Sequence, residues 1–112
     1  MIVLDKSGSM SGTKWTNAVA ATEYAIDSMN ARDRMGVVLF DSAAAHVMPV
    51  ERCSSVWINY LKNTLGNKWA GGGTSIYKGL ERAFQLILDD EEEAGNDDGI
   101  FYVNQLVLIT DG

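Results

Sequence analysis

The chain has one cysteine, one proline and one histidine in 112 residues. A lone Cys53 excludes an internal disulfide, and a lone His46 leaves nucleophilic catalysis without an evident base. No apolar run approaches the roughly 20 residues of a membrane helix, and no Asn-x-Ser/Thr acceptor occurs. There is no basic segment followed by a signal-type apolar stretch, and with the lone cysteine this leans towards a reducing, cytoplasmic compartment without fixing it. The nine Lys and Arg residues are scattered, which argues against a nucleic-acid surface.

What is present suits one modest soluble domain, since 46% of residues are hydrophobic and 21% charged. The net charge of −6 is local, because seven of the fifteen acids fall between Asp89 and Gly99. That stretch reads as a solvated loop, with a partner-facing insertion as the alternative. It is no calcium loop: with Asp90 at position 1 of an EF-hand, Phe101 occupies position 12, where a bidentate glutamate is required.

Met1 to Leu4 and Met35 to Phe40 are apolar without alternation, as in strands buried on both faces. His46 to Val50 forms a short strand antiparallel to the second, with Pro49 confining it to an edge or a strand end. Gln105 to Ile109 is the last buried strand. Helical spacing runs through Trp15, Ala18, Val19, Thr22, Ala25, Ile26 and Met29, and again from Ser54 or Ser55 to Gly66. The clearest stripe is Ile76, Leu80, Ala83, Phe84, Ile87 and Leu88, and Gly79 inside it implies close packing of that helix on the sheet. Alternating strands and helices predict an α/β fold, a three-layer α/β/α doubly wound arrangement on a mostly parallel sheet. Trp15, Trp57 and Trp69 are expected to pack in core or loops, with Trp69 bordering the glycines.

Ligands of such sheets bind beyond the carboxyl ends of the strands. Asp5, Ser7 and Ser9 leave the first strand there, Thr74 opens the main helix after three glycines, and Asp111 leaves the last strand. If the first and last strands are neighbours, five oxygen-bearing side chains converge. Mg²⁺ takes about six oxygens in near-octahedral geometry and keeps some waters, so few protein ligands suffice. Neutral hydroxyls leave the ion's charge only partly compensated, and an incoming carboxylate gains correspondingly more.

Asp5-Lys6-Ser7-Gly8-Ser9-Met10, Gly71-Gly72-Gly73-Thr74 and Ile109-Thr110-Asp111-Gly112, with Asp33-Arg34 before the second strand, resemble the von Willebrand factor type A domain, the integrin inserted-domain fold. The matching pattern is that family's metal-ion-dependent adhesion site. The resemblance implies that Ser7 and Ser9 touch the metal directly and Thr74 directly or through water. It implies that Asp5 and Asp111 act largely through water, and that a partner's Glu or Asp fills the remaining position. Mg²⁺ is the expected ion, with Mn²⁺ or Ca²⁺ as substitutes, and Lys6 adds positive charge to the binding face. The family normally continues past Thr-Asp-Gly with about two more strands, so residues 1–112 are expected to be a single partial domain. In the strand order 3-2-1-4-5-6 its fourth strand becomes an exposed edge, and the isolated chain is expected to be marginal or self-associating.

Other chemistries fit less well. Asp5, Ser7 and Ser9 could form a helix-capping turn, with the hydroxyls on backbone amides. The glycine loop lacks the Gly-Lys-Ser/Thr ending of a phosphate-binding loop, and Ser9 lacks the Gly-x-Ser-x-Gly context of an esterase. A haloacid-dehalogenase-like enzyme needs an aspartate where Ser7 stands. The expectation is a non-enzymatic, divalent-metal-dependent protein-interaction domain without a membrane segment. The alternative is a regulatory module of a larger assembly, such as a ring-type AAA+ ATPase, a chelatase or a ubiquitin-ligase-like chain.

Overall fold

The computed structural model describes residues 1–68, 70–94 and 105–110. Trp69, Asp111 and the second part of the acidic stretch lie outside the described residues. The two non-alternating runs become β1 (Ile2–Asp5) and β2 (Arg34–Phe40), the inner strands of a four-stranded sheet ordered β3-β2-β1-β4. β1 pairs in parallel with both β2 and β4 (Val107–Ile109). β3 (Ala44–Arg52) runs antiparallel to β2 at one side. The predicted α/β class and strand order are those observed.

Continuous burial explains the lack of alternation. Val3, Leu4, Val37, Val38, Leu39 and Phe40 are all fully buried, because helices cover both faces of the sheet. Helices α1 (Thr13–Asp27) and α2 (Ser55–Gly66) close one face, where Trp15, Ala18, Ile26, Leu61 and Leu65 meet Ile2, Leu4, Val37 and Leu39. Helix α3 (Ile76–Ala94) closes the other, with Ala83 and Leu86 against Val3, Val38 and Phe40. The Ser54 hydroxyl caps α2 by accepting the Trp57 amide at 3.2 Å. Trp57 Nε1 donates to the Met35 carbonyl at 2.9 Å, which ties α2 to β2.

Pro49 sits within β3, at an irregularity rather than at an end. The register shifts between Met35↔Glu51 and Val37↔Met48, so Gly36 faces both Pro49 and Val50. At such a bulge on an outer strand the missing proline N–H removes no ladder bond the sheet depends on. Gly36 permits the approach, since a Cβ there would lie 2.7 Å from the Met48 carbonyl oxygen.

Three expectations need correction. Helix α3 continues through Asp89 to Ala94, so the first acids of the acidic stretch are helical rather than a loop. The face of α3 that meets the sheet includes Leu86, whereas Phe84 and Leu88 are exposed. Contact of Gly79 with Phe40 selects that face, and the apolar stripe was wide enough to allow either setting. β4 is only half covered, with Val107 50% and Leu108 37% exposed, which corrects its reading as a buried strand and bears out the exposed edge expected from the strand order. No described helix is long and apolar enough to cross a membrane.

Candidate metal centre

β1 delivers Asp5 to the carboxyl edge of the sheet, where its carboxylate is 1% exposed. A buried charge is tolerable only when hydrogen-bonded, and both oxygens are. Oδ1 accepts the Ser7 amide at 2.8 Å, and Oδ2 accepts the Thr110 hydroxyl at 2.7 Å. Ser7, equally buried, opens a short 3-10 turn over Gly8–Met10, yet its side chain makes no capping bond. Its hydroxyl instead lies 3.0 Å from that of Ser9. The capping alternative therefore does not describe Ser7.

The glycine loop is stitched to this turn by backbone bonds. The Gly8 amide donates to the Gly72 carbonyl at 2.9 Å, and the Gly71 amide to the Lys6 carbonyl at 2.7 Å. Gly72 has φ +89°, and a Cβ there would come within 3.3 Å of Asp41 Oδ2, so the position suits glycine on two counts. Thr74 lies on the same loop and is exposed. It does not open the helix as expected: α3 begins at Ile76, and the Lys78 amide reaches back to the Ser75 hydroxyl at 3.4 Å. The structure thus joins Asp5, Ser7 and Ser9 in one turn and places Thr74 on the loop bonded to it. Asp111 lies outside the described residues, but its neighbour Thr110 reaches Asp5.

Asp41 and Thr110 are the contributors that sequence reasoning passed over. Asp41 follows β2 at the same sheet edge, and its Oδ2 pairs with the Lys6 ammonium at 2.9 Å. That bond holds the Asp41 carboxyl below its usual range against the opposing effect of burial, with help from the Ala43 and Ser42 amides. The Asp41 carbonyl also accepts the Ser75 amide at 2.6 Å, so one residue anchors both Lys6 and the entry to α3. Position was the available signal, since each residue lies at the carboxyl end of a strand. His46, on β3, is partly buried and shares a pocket with Lys6.

The donor set can be tested against a divalent cation by its own spacing. Adjacent oxygens around an octahedral ion with bonds of 2.0–2.1 Å are about 2.9 Å apart, and around Ca²⁺ about 3.4 Å. The Ser7 and Ser9 hydroxyls are hydrogen-bonded to each other at 3.0 Å, a separation that the smaller ion could span without moving them. An ammonium one residue away would repel a cation, and Asp41 offsets it. Among the described residues no three His, Cys, Asp or Glu side chains gather as a metal cluster. The oxygens gathered at this turn are the Ser7 and Ser9 hydroxyls, with the Asp5 carboxylate behind them.

Comparison with known proteins bears on the fold and the family. The chain is 30% identical over 113 residues to inter-alpha-trypsin inhibitor heavy chain H4 of Homo sapiens, covering 100% of this chain and 12% of that protein. It is 34% identical over 119 residues to calcium-activated chloride channel regulator 4 of Homo sapiens, covering 99% of this chain and 12% of that protein. The chain thus spans about 12% of the length of these curated relatives. A solved von Willebrand factor type A structure from Catenulispora acidiphila superposes with a TM-score of 0.68 at 30% identity, over 73% of this chain and 21% of that one. A membrane-spanning protein from Vibrio fischeri shares the fold, with a TM-score of 0.66 at 24% identity over 81% of this chain and 50% of that one. The family model of the von Willebrand factor type A domain matches residues 1–112, and the chain belongs to that family.

Proposed function

We propose that this chain is a non-enzymatic protein-interaction domain that docks an acidic residue of a partner through a divalent cation. Ser7 and Ser9 hold Mg²⁺ directly, Thr74 contributes from the glycine loop, and Asp5 and Asp111 act largely through water. Mn²⁺ and Ca²⁺ are the substitute ions. When bound, the cation supplies a positive charge that hydroxyl oxygens only partly compensate, and a Glu or Asp of the partner completes its coordination.

The observation that carries this reading is the pair of hydroxyls 3.0 Å apart above a carboxylate whose two oxygens are already engaged. Asp5 orients the turn through the Ser7 amide and keeps a negative charge close to the hydroxyls. Asp41 offsets the adjacent ammonium. Isothermal titration calorimetry of the full chain with Mg²⁺ and Mn²⁺ tests the reading. Binding that falls at least about 10-fold in Ser7→Ala with Ser9→Ala is expected, and no binding, or binding unchanged in the double variant, overturns it.

A second reading keeps the same domain inside a longer assembly, as the matched segment is in relatives of which it spans 12%. A ring-type AAA+ ATPase, a chelatase or a ubiquitin-ligase-like chain would use the site to hold a partner subunit. Flanking coding sequence distinguishes the two, because a catalytic domain in the same chain selects the second.

A further inference from the structure

We infer that the pocket lined by Lys6, His46, Asn67 and Lys68 is a second anion-recognition point, which takes another carboxylate of the same acidic partner segment that docks at the Ser7 and Ser9 turn. The first carboxylate rests on the metal-dependent reading above; the second rests on the pocket itself. With a volume of about 270 Å³, it is smaller than the ~300–1,000 Å³ of sites for small-molecule ligands and suits a side chain.

The lining residues are two lysines, a histidine and an asparagine, with no acid among the described residues. Lys6 is engaged by Asp41 at 2.9 Å, whereas the Lys68 ammonium has no ion-pair partner among the described residues. The pocket therefore keeps a net positive charge. Burial first, then the charges of Lys68 and Lys6, hold the His46 imidazole below its ordinary pKa, with Asp41 opposing them. A neutral imidazole N–H and the Asn67 amide supply donors that a carboxylate can accept from, while a cationic side chain would meet repulsion.

Three elements hold the walls in place. His46 stands opposite Leu39 in the β2–β3 ladder, the Lys6 amide bonds the Phe40 carbonyl at 2.8 Å, and Trp15 Nε1 bonds the Lys68 carbonyl at 3.1 Å. Lys6 directly precedes Ser7, so pocket and turn share one edge of the sheet. An extended segment advances about 3.3 Å per residue, so residues a few positions apart can reach both points.

The test is an NMR titration of the full chain with acetyl-tetraglutamate amide and with acetyl-Glu-Gln-Gln-Gln amide, each with and without Mg²⁺. Tetraglutamate is expected to shift the His46 imidazole and Asn67 amide signals and to bind about three- to five-fold more weakly to Lys68→Gln. The single-glutamate peptide is expected to bind both proteins equally. Mg²⁺-dependent binding indifferent to Lys68→Gln, with His46 and Asn67 unmoved, overturns the pocket and keeps the metal reading. Lys68-dependent shifts with tetraglutamate, together with single-glutamate binding that is the same with and without Mg²⁺, keep the pocket and overturn the metal reading. Equal shifts with inorganic phosphate overturn recognition of a partner's carboxylate, and absence of any shift overturns the pocket.

Discussion

The Thr110 hydroxyl donates to Asp5 Oδ2 at 2.7 Å, joining residues 105 positions apart. Parallel pairing of β4 with β1 brings the two strand ends together. Thr110→Val keeps the shape and removes the donor, leaving a buried carboxylate oxygen without this bond. A loss of about 1–3 kcal/mol is expected, seen in urea unfolding as a lower midpoint at unchanged slope. Thr110→Ser restores most of it.

Lys6 and Asp41 make stability depend on pH in one direction. The folded pKa of Asp41 is depressed, chiefly by its bond from Lys6. The pair's contribution is therefore complete above the ordinary aspartate pKa of about 3.9 and is lost as pH falls through the lower folded value. Melting curves of the parent and Asp41→Asn are expected to differ by a constant gap above about pH 5. The gap should close in acid, and one that persists there contradicts the assignment.

Gly79→Ala sets helix propensity against packing. Alanine favours an exposed helix interior by up to about 1 kcal/mol, but here its Cβ would lie 2.7 Å from Cδ1 and 2.8 Å from Cγ of the fully buried Phe40. A ring held by the sheet cannot swing aside cheaply, and overpacking costs about 1–3 kcal/mol. Net destabilisation is expected, and relief by a second change, Phe40→Leu, in a double-mutant cycle identifies the clash as its cause.

Arg34 Nε donates to both oxygens of Asp90 at 3.1 Å, tying the last turns of α3 to the start of β2. Both side chains are largely covered, so Asp90→Asn is expected to cost about 1 kcal/mol, more than an ordinary surface pair. Asp89→Asn, whose carboxylate among the described residues accepts only the exposed Gln85 amide, should change stability by less than about 0.5 kcal/mol. Thermal melts of the two variants separate a structural acid from a solvated one.

The acidic run shows where reading the sequence reached its limit. Charge density marked it as solvated, and helix α3 passes through its first part because a helix needs only one covered stripe. Asp90 falls on the covered side, facing Arg34 from another element, which no local pattern reveals. The α3 stripe had the same difficulty, since neighbouring settings of a broad apolar face look alike until Gly79 meets Phe40. The inner strands were legible because burial on both faces leaves an unbroken apolar run, and Ser54 was legible as a cap because capping is local.

The sequence by itself determined the α/β class, the inner strands and the turn that carries Asp5, Ser7 and Ser9, since each depends on short-range pattern. Tertiary structure alone decided that Thr110 fills one Asp5 oxygen, that Asp41 neutralises Lys6, and that His46 and Lys68 share a pocket with it. Those contacts join residues at the ends of different elements. Strand order and loop approach create them, and neither is written in the spacing of any one segment.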